Sequence, residues 1–204
     1  MLSSKESLSH EKIKSFVDIC FHNRSNHFSI FLEKTPSIDE IAILKNEIQT
    51  DIQLAIFDLD GTLVDPYGDI SPEIITYLQT YIQNEIQVII YSNAPDSSRF
   101  DIFRKNNIPV SETEISKPNI AGFLETCQQM NIQPEHTAFI GNFPLTDLPL
   151  SQNPVFPLNI LVKSIPPKYN SLGLFRYIRA YSFHVLAKIL EYIVLYKHPH
   201  LQKK

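Results

Sequence analysis

Leu54-Ala55-Ile56-Phe57-Asp58-Leu59-Asp60-Gly61-Thr62-Leu63-Val64 is the stretch on which the fold turns. Its first four residues are an unbroken apolar run with the length and flanks of a buried strand. The run ends in two aspartates two residues apart, followed by a glycine. Turns use Asp and Gly routinely, so this pattern alone is weak evidence of a site. A calcium loop of the EF-hand type starting at Asp58 is excluded, because Leu63 stands where that loop needs glycine and Asp69 where it needs glutamate.

Downstream, strand and helix signals alternate. Asp65-Pro66-Tyr67-Gly68 is a turn, and Ser71-Pro72-Glu73 opens a helix to about residue 84, with a cap residue and then proline in the first turn. A strand over 88–91 ends in Ser92-Asn93, and a helix follows over 97–106. A short strand covers 108–110, Lys117-Pro118 opens a helix to about residue 131, and a strand over 137–140 ends in Gly141-Asn142. A fifth strand covers 159–162, and the Pro-rich segment 144–167 is otherwise irregular. Upstream, Ser37 caps a helix to about residue 47, 33–36 is a linker, and 1–32 reads as a helical preface. Alternation of this kind predicts an α/β fold with a parallel sheet. In such sheets ligands bind at the carboxyl ends of the strands. That edge collects Asp58, Asp60, Ser92, Asn93, Lys117, Asn142 and Asp147.

These residue types suit phosphoryl chemistry. A carboxylate is a recognised nucleophile for phosphoryl transfer, and Asp58 is the first one past the strand. A second carboxylate as close as Asp60 does not ionise independently, so one of the pair is expected to act as the acid. Mg²⁺ takes one or two carboxylates with carbonyls and waters. Lys117 can offset the charge that builds on a phosphorylated carboxylate, and Ser92 can donate to a phosphoryl oxygen.

Composition narrows the alternatives. The chain has 204 residues, 43% apolar and 20% charged, which excludes global disorder. It has five glycines and neither a dinucleotide fingerprint nor a P-loop. Cys20 and Cys127 stand far apart, with no zinc or disulfide pattern, so a reduced cytoplasmic setting is expected. The N-terminus lacks the apolar core of a signal peptide, an organelle transit peptide is disfavoured by its acidic residues, and no nucleic-acid partner is expected. The net charge of −4 hides an asymmetry: residues 1–160 carry −11 and residues 161–204 carry +7.

In the order and spacing of its motifs the chain resembles the haloacid dehalogenase (HAD) superfamily of phosphatases. Asp58-Leu59-Asp60-Gly61-Thr62-Leu63-Val64 matches the first motif, Ser92-Asn93 the second, Lys117-Pro118 the third, and Gly141-Asn142-Phe143-Pro144-Leu145-Thr146-Asp147 the fourth. The Thr146-Asp147 pair, the short spacers and the 37–47 helix are most similar to the YqeG-type, IIIA group, which includes phosphatidylglycerophosphatases. The resemblance implies a Rossmann-like core with strand order 5-4-1-2-3 over residues 34–167, between a helical extension (1–33) and a basic C-terminal helix (168–204). It implies Asp58 as nucleophile, Asp60 as general acid/base and Lys117 as the third catalytic residue. It further implies Thr62, Ser92 and Asn93 toward the substrate, and Mg²⁺ held by Asp58, Asp60 (through its carbonyl), Asn142 and Asp147. Asn142 departs from the pattern, since the family usually has aspartate there; affinity for Mg²⁺ should fall, and a binding or scaffold protein with weakened catalysis is the alternative.

Thirty-one residues separate Asp60 from Ser92 and twenty-three separate Asn93 from Lys117, too few for a folded cap domain beyond a helix and a strand. An uncapped site suits a substrate presented by a surface, such as a phospholipid head group. At ~100° per residue, Leu174, Ile178, Tyr181, Val185, Ile189, Tyr192, Ile193 and Tyr196 share one side of a C-terminal helix, with Arg176, Arg179, His184, Lys188, Glu191 and Lys197 on the other. That pattern fits a helix lying on an anionic membrane surface through residues 170–204, and equally one packed on the domain or a partner.

Overall fold

The computed structural model describes residues 29–94, 97–147, 158–168 and 174–197. Among these, five strands form one parallel sheet: β1 (Ser29–Leu32), β2 (Leu54–Phe57), β3 (Gln87–Ile90), β4 (Thr137–Gly141) and β5 (Leu158–Val162), in the order β1-β5-β4-β2-β3. The helices are α1 (Ile38–Ile48), α2 (Pro72–Gln83), α3 (Asp101–Lys105), α4 (Ile120–Gln129) and α5 (Leu174–Lys197), with 3₁₀ turns at Ser97–Phe100 and Pro134–His136. The chain thus has the α/β, Rossmann-like architecture read from its sequence.

Side chains alternate across a strand, so each strand feeds two cores. Ala55 and Phe57 of β2 join Val88, Ile90, Ala138, Ile140, Ile160 and Val162 against α1, α2 and α3, which contribute Ile41, Leu44, Ile75, Leu78, Tyr81 and Phe103. Leu54 and Ile56 point the other way, with Ile89 and Phe139, against Phe123 and Cys127 of α4. Burial on both faces is why β2 reads as a continuous apolar run. The helix starts follow local chemistry. Ser37 Oγ accepts from Glu40 N at 3.3 Å while the Glu40 carboxylate accepts from Ser37 N at 2.7 Å, a reciprocal cap on α1. Asn119 caps α4 through Ala121 N.

Three expectations need correction. Residues 1–28 lie outside the described residues, but 29–32 form β1, a strand on the outer edge of β5, rather than the end of a helix. The edge of β5 needs backbone partners, and the buried Ile30 and Phe31 supply strand-forming residues for it. The third strand shrinks to one bridge, Ile90 with Val110, because Pro109 has no N–H to continue a ladder.

The third correction concerns α5. Ala180, Ala187, Leu190 and Val194 are its buried residues, and Leu190 and Val194 pack on Leu145. Most of the stripe taken from periodicity as the apolar side faces outward instead: Tyr192 is 71% exposed and Tyr196 72%, with Leu174, Ile178, Tyr181, Val185 and Ile189 also exposed, while Ile193 of the same stripe packs inward beside Leu190 and Val194; Phe175, next to the stripe, is 89% exposed. The helix therefore both packs on the body and presents a second apolar face. Among the described residues no helix is long and apolar enough to cross a membrane.

Candidate active site

Parallel register brings the strand ends together. Phe57 is level with Ile90 on one side and Ile140 on the other, and Gly141 is level with Leu161. Asp58, Ser92, Asn142 and Ser164 therefore leave the sheet at one edge. The helices after β2 and before β4 lie on opposite faces, which opens a crevice beside β2. There a cavity of about 150 Å³ is lined by Asp58, Asp60, Ser92, Asn93, Lys117 and Asn142, and is completed by Tyr67, Phe143 and Ser164 and one side of α5. No folded insert stands between Asp60 and Ser92, or among the described residues between Asn93 and Lys117. The site is nonetheless not open on every side, because α5 walls it.

Lys117 is the electrostatic centre. Its ammonium, almost fully buried, lies 2.7 Å from Asp58 Oδ1 and 2.9 Å from Asp147 Oδ1. It also sits over the Phe139 ring, 5.3 Å from the centroid. Burial alone would lower its pKa, but the Asp147 and Asp58 carboxylates outweigh that and hold it above the ordinary lysine range. Burial pushes the Asp58 carboxyl up, to about 6; Lys117 opposes the rise and Asp147 adds to it. Asp147 lies beneath Lys117. Thr146 Oγ1 and Phe143 N also donate to its carboxylate, at 3.0 and 2.8 Å. A Cβ on Gly141 would come within 2.5 Å of that carboxylate, so only glycine fits there. The Asn93 amide clasps the Lys117 backbone at both ends, 2.9 Å to N and 3.1 Å to O. Ser92 lines the cavity, and its Oγ accepts from Ala94 N at 3.2 Å.

Asn142 is buried between Thr62, Ser164 and the aspartates. Hydrogen-bond logic turns its amide nitrogen toward Asp60 O (3.1 Å), Asp58 Oδ2 (3.2 Å) and Thr62 Oγ1 (3.0 Å), and its oxygen toward Ser164 Oγ (2.9 Å). Thr62 is then free to donate to Asp58 Oδ2 at 3.1 Å. Gly61, with φ of +84°, lets the backbone pass this close; a Cβ there would lie 2.3 Å from the Asn142 amide.

The donor set fits a hard cation. In the opposite amide orientation the nitrogen donates to Ser164 Oγ at 2.9 Å, and the Asn142 oxygen joins Asp58 Oδ2 and Asp60 O around one point. Asp58, Asp147 and Lys117 together leave one net negative charge buried, which a cation would neutralise. Among the described residues no three His, Cys, Asp or Glu side chains form a metal cluster, so the donors would be one carboxylate, one carbonyl and one amide. An Asn142→Asp change should therefore act in two ways. Without metal it faces three acceptors with a fourth and should destabilise the protein by about 1–3 kcal/mol. With Mg²⁺ it should lower the half-saturating concentration about tenfold and enlarge the rise in Tm. A Mg²⁺ titration followed by thermal melting reads both effects; an unchanged response would show that position 142 does not face the cation.

Asp60 is held from another side. Arg99 Nη1 donates to Asp60 Oδ2 at 3.1 Å and lies 2.9 Å from Oδ1, Tyr67 N donates to Oδ1 at 2.9 Å, and Arg99 Nη2 donates to Gly68 O at 2.9 Å. One guanidinium thus ties Asp60 to the 65–68 turn. Sequence reasoning missed Arg99, Ser164 and His184. Ser164 follows β5 and was within reach of the strand-end rule; Arg99 carries no signal of its own, and His184 was placed with the charged residues on the polar side of the C-terminal helix.

Three solved structures illustrate the similarity. A hypothetical protein from Xanthomonas campestris is 17% identical, with a TM-score of 0.48 over 80% of this chain and 98% of its own. The 3-deoxy-D-manno-octulosonate 8-phosphate phosphatase of Yersinia pestis is 17% identical, with a TM-score of 0.44 over 71% and 87%. The cobalt-bound deoxy-D-mannose-octulosonate 8-phosphate phosphatase of Haemophilus influenzae is 14% identical, with a TM-score of 0.41 over 71% and 90%. No curated protein matches the chain by sequence. Residues 55–111, the segment that runs from β2 through Asp58, Asp60, Thr62, Ser92 and Asn93, match the family model of the haloacid dehalogenase-like hydrolases.

Proposed function

We propose that the chain is a Mg²⁺-dependent phosphomonoesterase of the YqeG-like, IIIA type that acts through an aspartyl phosphate. The observation that carries the reading is the buried Lys117 bridge to Asp58, with Asp60 and Asn142 on the same small cavity. Asp58 attacks phosphorus while Asp60 protonates the departing alcohol. Asp60 then takes a proton from the water that hydrolyses the acyl phosphate, which returns both carboxyl groups to their starting forms. Lys117 steadies the negative charge on the phosphorylated residue, Asp147 and Asn93 orient Lys117, and Ser92 meets a phosphoryl oxygen. Asp58, the Asp60 carbonyl and Asn142 would hold Mg²⁺, which supplies charge stabilisation to the phosphoryl oxygens. Phosphate release with Mg²⁺ from an aryl phosphate, phosphatidylglycerophosphate and soluble sugar phosphates tests this. Release from none of them sinks it.

The exposed aromatic face of α5, with the exposed Arg176 on the same helix, supports a phospholipid substrate met at an anionic membrane surface. Because α5 also packs on the body, the informative variant changes only the outer face: Phe175→Ser with Tyr192→Ser and Tyr196→Ser. Co-sedimentation with anionic vesicles should fall more than tenfold and weaken with salt. Equal sedimentation of variant and wild type would leave the outer face without a membrane role.

A second reading rests on Asn142, whose amide nitrogen already bridges Asp58 and Asp60: a binding or scaffold protein that has lost turnover. Mg²⁺ binding in the Asn142→Asp variant with no hydrolysis by either protein would favour it.

A further inference from the structure

The proposed hydrolase has no cap to hold the alcohol half of its ester, yet one side of its cavity is already closed. Ala180, Phe183, His184 and Ala187 of α5 line it, spaced so that they share one face of the helix. Leu190 and Val194, one and two turns past Ala187, seat this face against Leu145. Phe183 packs edge-on against Phe143 at 6.0 Å, joining the helix to the loop after β4. Ala180 and Ala187 are both buried and small, which keeps room between the helix and the aspartates.

His184 brings a polar group to this wall. Its Nδ1 lies 3.2 Å from Ser164 Oγ, which lies 2.9 Å from the Asn142 amide. A hydrogen-bonded chain thus runs from the helix to the candidate nucleophile. Its direction follows from counting protons. When the Asn142 oxygen faces Ser164, the serine spends its one proton on it, so His184 Nδ1 carries a hydrogen and Nε2 is an acceptor. When the Asn142 nitrogen faces Ser164, the serine can donate to Nδ1, and Nε2 carries the hydrogen. A hydroxyl group answers both forms, because it donates and accepts. Burial first, and then Lys188, lowers the His184 pKa, so the ring is neutral near pH 7 and both forms are open to it.

We propose that this face of α5 is the leaving-group subsite, and that it selects phosphomonoesters whose alcohol carries a hydroxyl within reach of His184. The proposal deepens the phosphatase reading and rests on it for the word leaving-group; the binding preference can be measured without turnover. A site built to hydrogen-bond a hydroxyl discriminates strongly against the analogue lacking it.

The test compares glycerol 3-phosphate with n-propyl phosphate on the full chain, by calorimetry with Mg²⁺ in the Asp58→Asn protein, which cannot form the acyl phosphate, and by phosphate release with Mg²⁺ in the wild type. The Asp58→Asn protein should bind the hydroxylated ester at least about tenfold more tightly, and adding His184→Phe should bring the ratio near one. Ala187→Phe, which fills the wall without touching the polar floor, should weaken both esters at least about tenfold while inorganic phosphate changes by less than about twofold. A ratio that His184→Phe leaves unchanged overturns the proposal, as does full-strength ester binding when Ala187→Phe is added or no ester binding by the Asp58→Asn protein with Mg²⁺. If the preference holds but no ester is hydrolysed, the subsite stands and the phosphatase reading falls. If hydrolysis occurs with no preference, the reverse follows.

Discussion

Asp58→Asn is expected to lower phosphate release by roughly 10⁴-fold or more and, in metal-free buffer above pH 7, to make the protein more stable than wild type. The loss of turnover follows because an amide cannot form the acyl phosphate. The gain in stability follows from burial. The Asp58 carboxyl is pushed up from 3.8 to about 6, chiefly by desolvation. A group whose pKa is higher folded than unfolded gives its full stabilisation below the unfolded value and loses it as pH rises through the folded one. Ionised Asp58 therefore costs stability above about pH 6, by up to about 3 kcal/mol. The substitution removes that cost and leaves Lys117 its pair with Asp147. Urea melts of both proteins between pH 4 and 8 should converge at the acid end and separate at the neutral end. Wild-type turnover by a well-folded variant would end the covalent mechanism, and a variant less stable at pH 8 would show that the Lys117 contact outweighs desolvation.

The site was legible where its chemistry is local. Asp58, Ser92 and Asn142 each follow a short apolar strand, and parallel register carries them to one edge without further information. What lies across the fold was not legible. Asp147 reads as a ligand of a cation from its motif, whereas its carboxylate is occupied by Lys117, Thr146 and Phe143 N. That occupancy depends on a lysine 30 residues away. The orientation of α5 was the larger surprise. It carries two apolar stripes, and a helical wheel ranks the one with Ile178, Tyr181, Ile189 and Tyr192 above the one with Ala180, Ala187, Leu190 and Val194. Close approach to the body favours the second, because alanines let the helix come near the cavity and two larger residues fix it. Periodicity reports that a stripe exists; it does not report which stripe has a complementary surface opposite.

Lys117→Met should be the most destabilising single change at the site. The side chain is of similar length, so what is lost is the charge and its hydrogen bonds. Asp58 and Asp147, both buried, would then share one pocket with no cation between them. Removing one partner of a buried ion pair costs about 3–5 kcal/mol, mostly as the cost of the charge left behind. Here two charges of the same sign are left, so the upper end of that range applies at neutral pH. With the Lys117 charge gone, the Asp58 carboxyl, already raised by burial, takes up a proton more readily and relieves the repulsion; the deficit should then shrink as the buffer is taken from pH 8 to pH 5. Adding Asp147→Asn should restore a large part of the lost stability, because it removes one of the two stranded charges. The two changes should accordingly be far from additive. Urea denaturation of the wild type, both single variants and the double variant at two pH values measures all of this. Additive losses, or a deficit that does not change with pH, would mean that Lys117 holds the fold by packing on Phe139 and Tyr91 rather than by its charge.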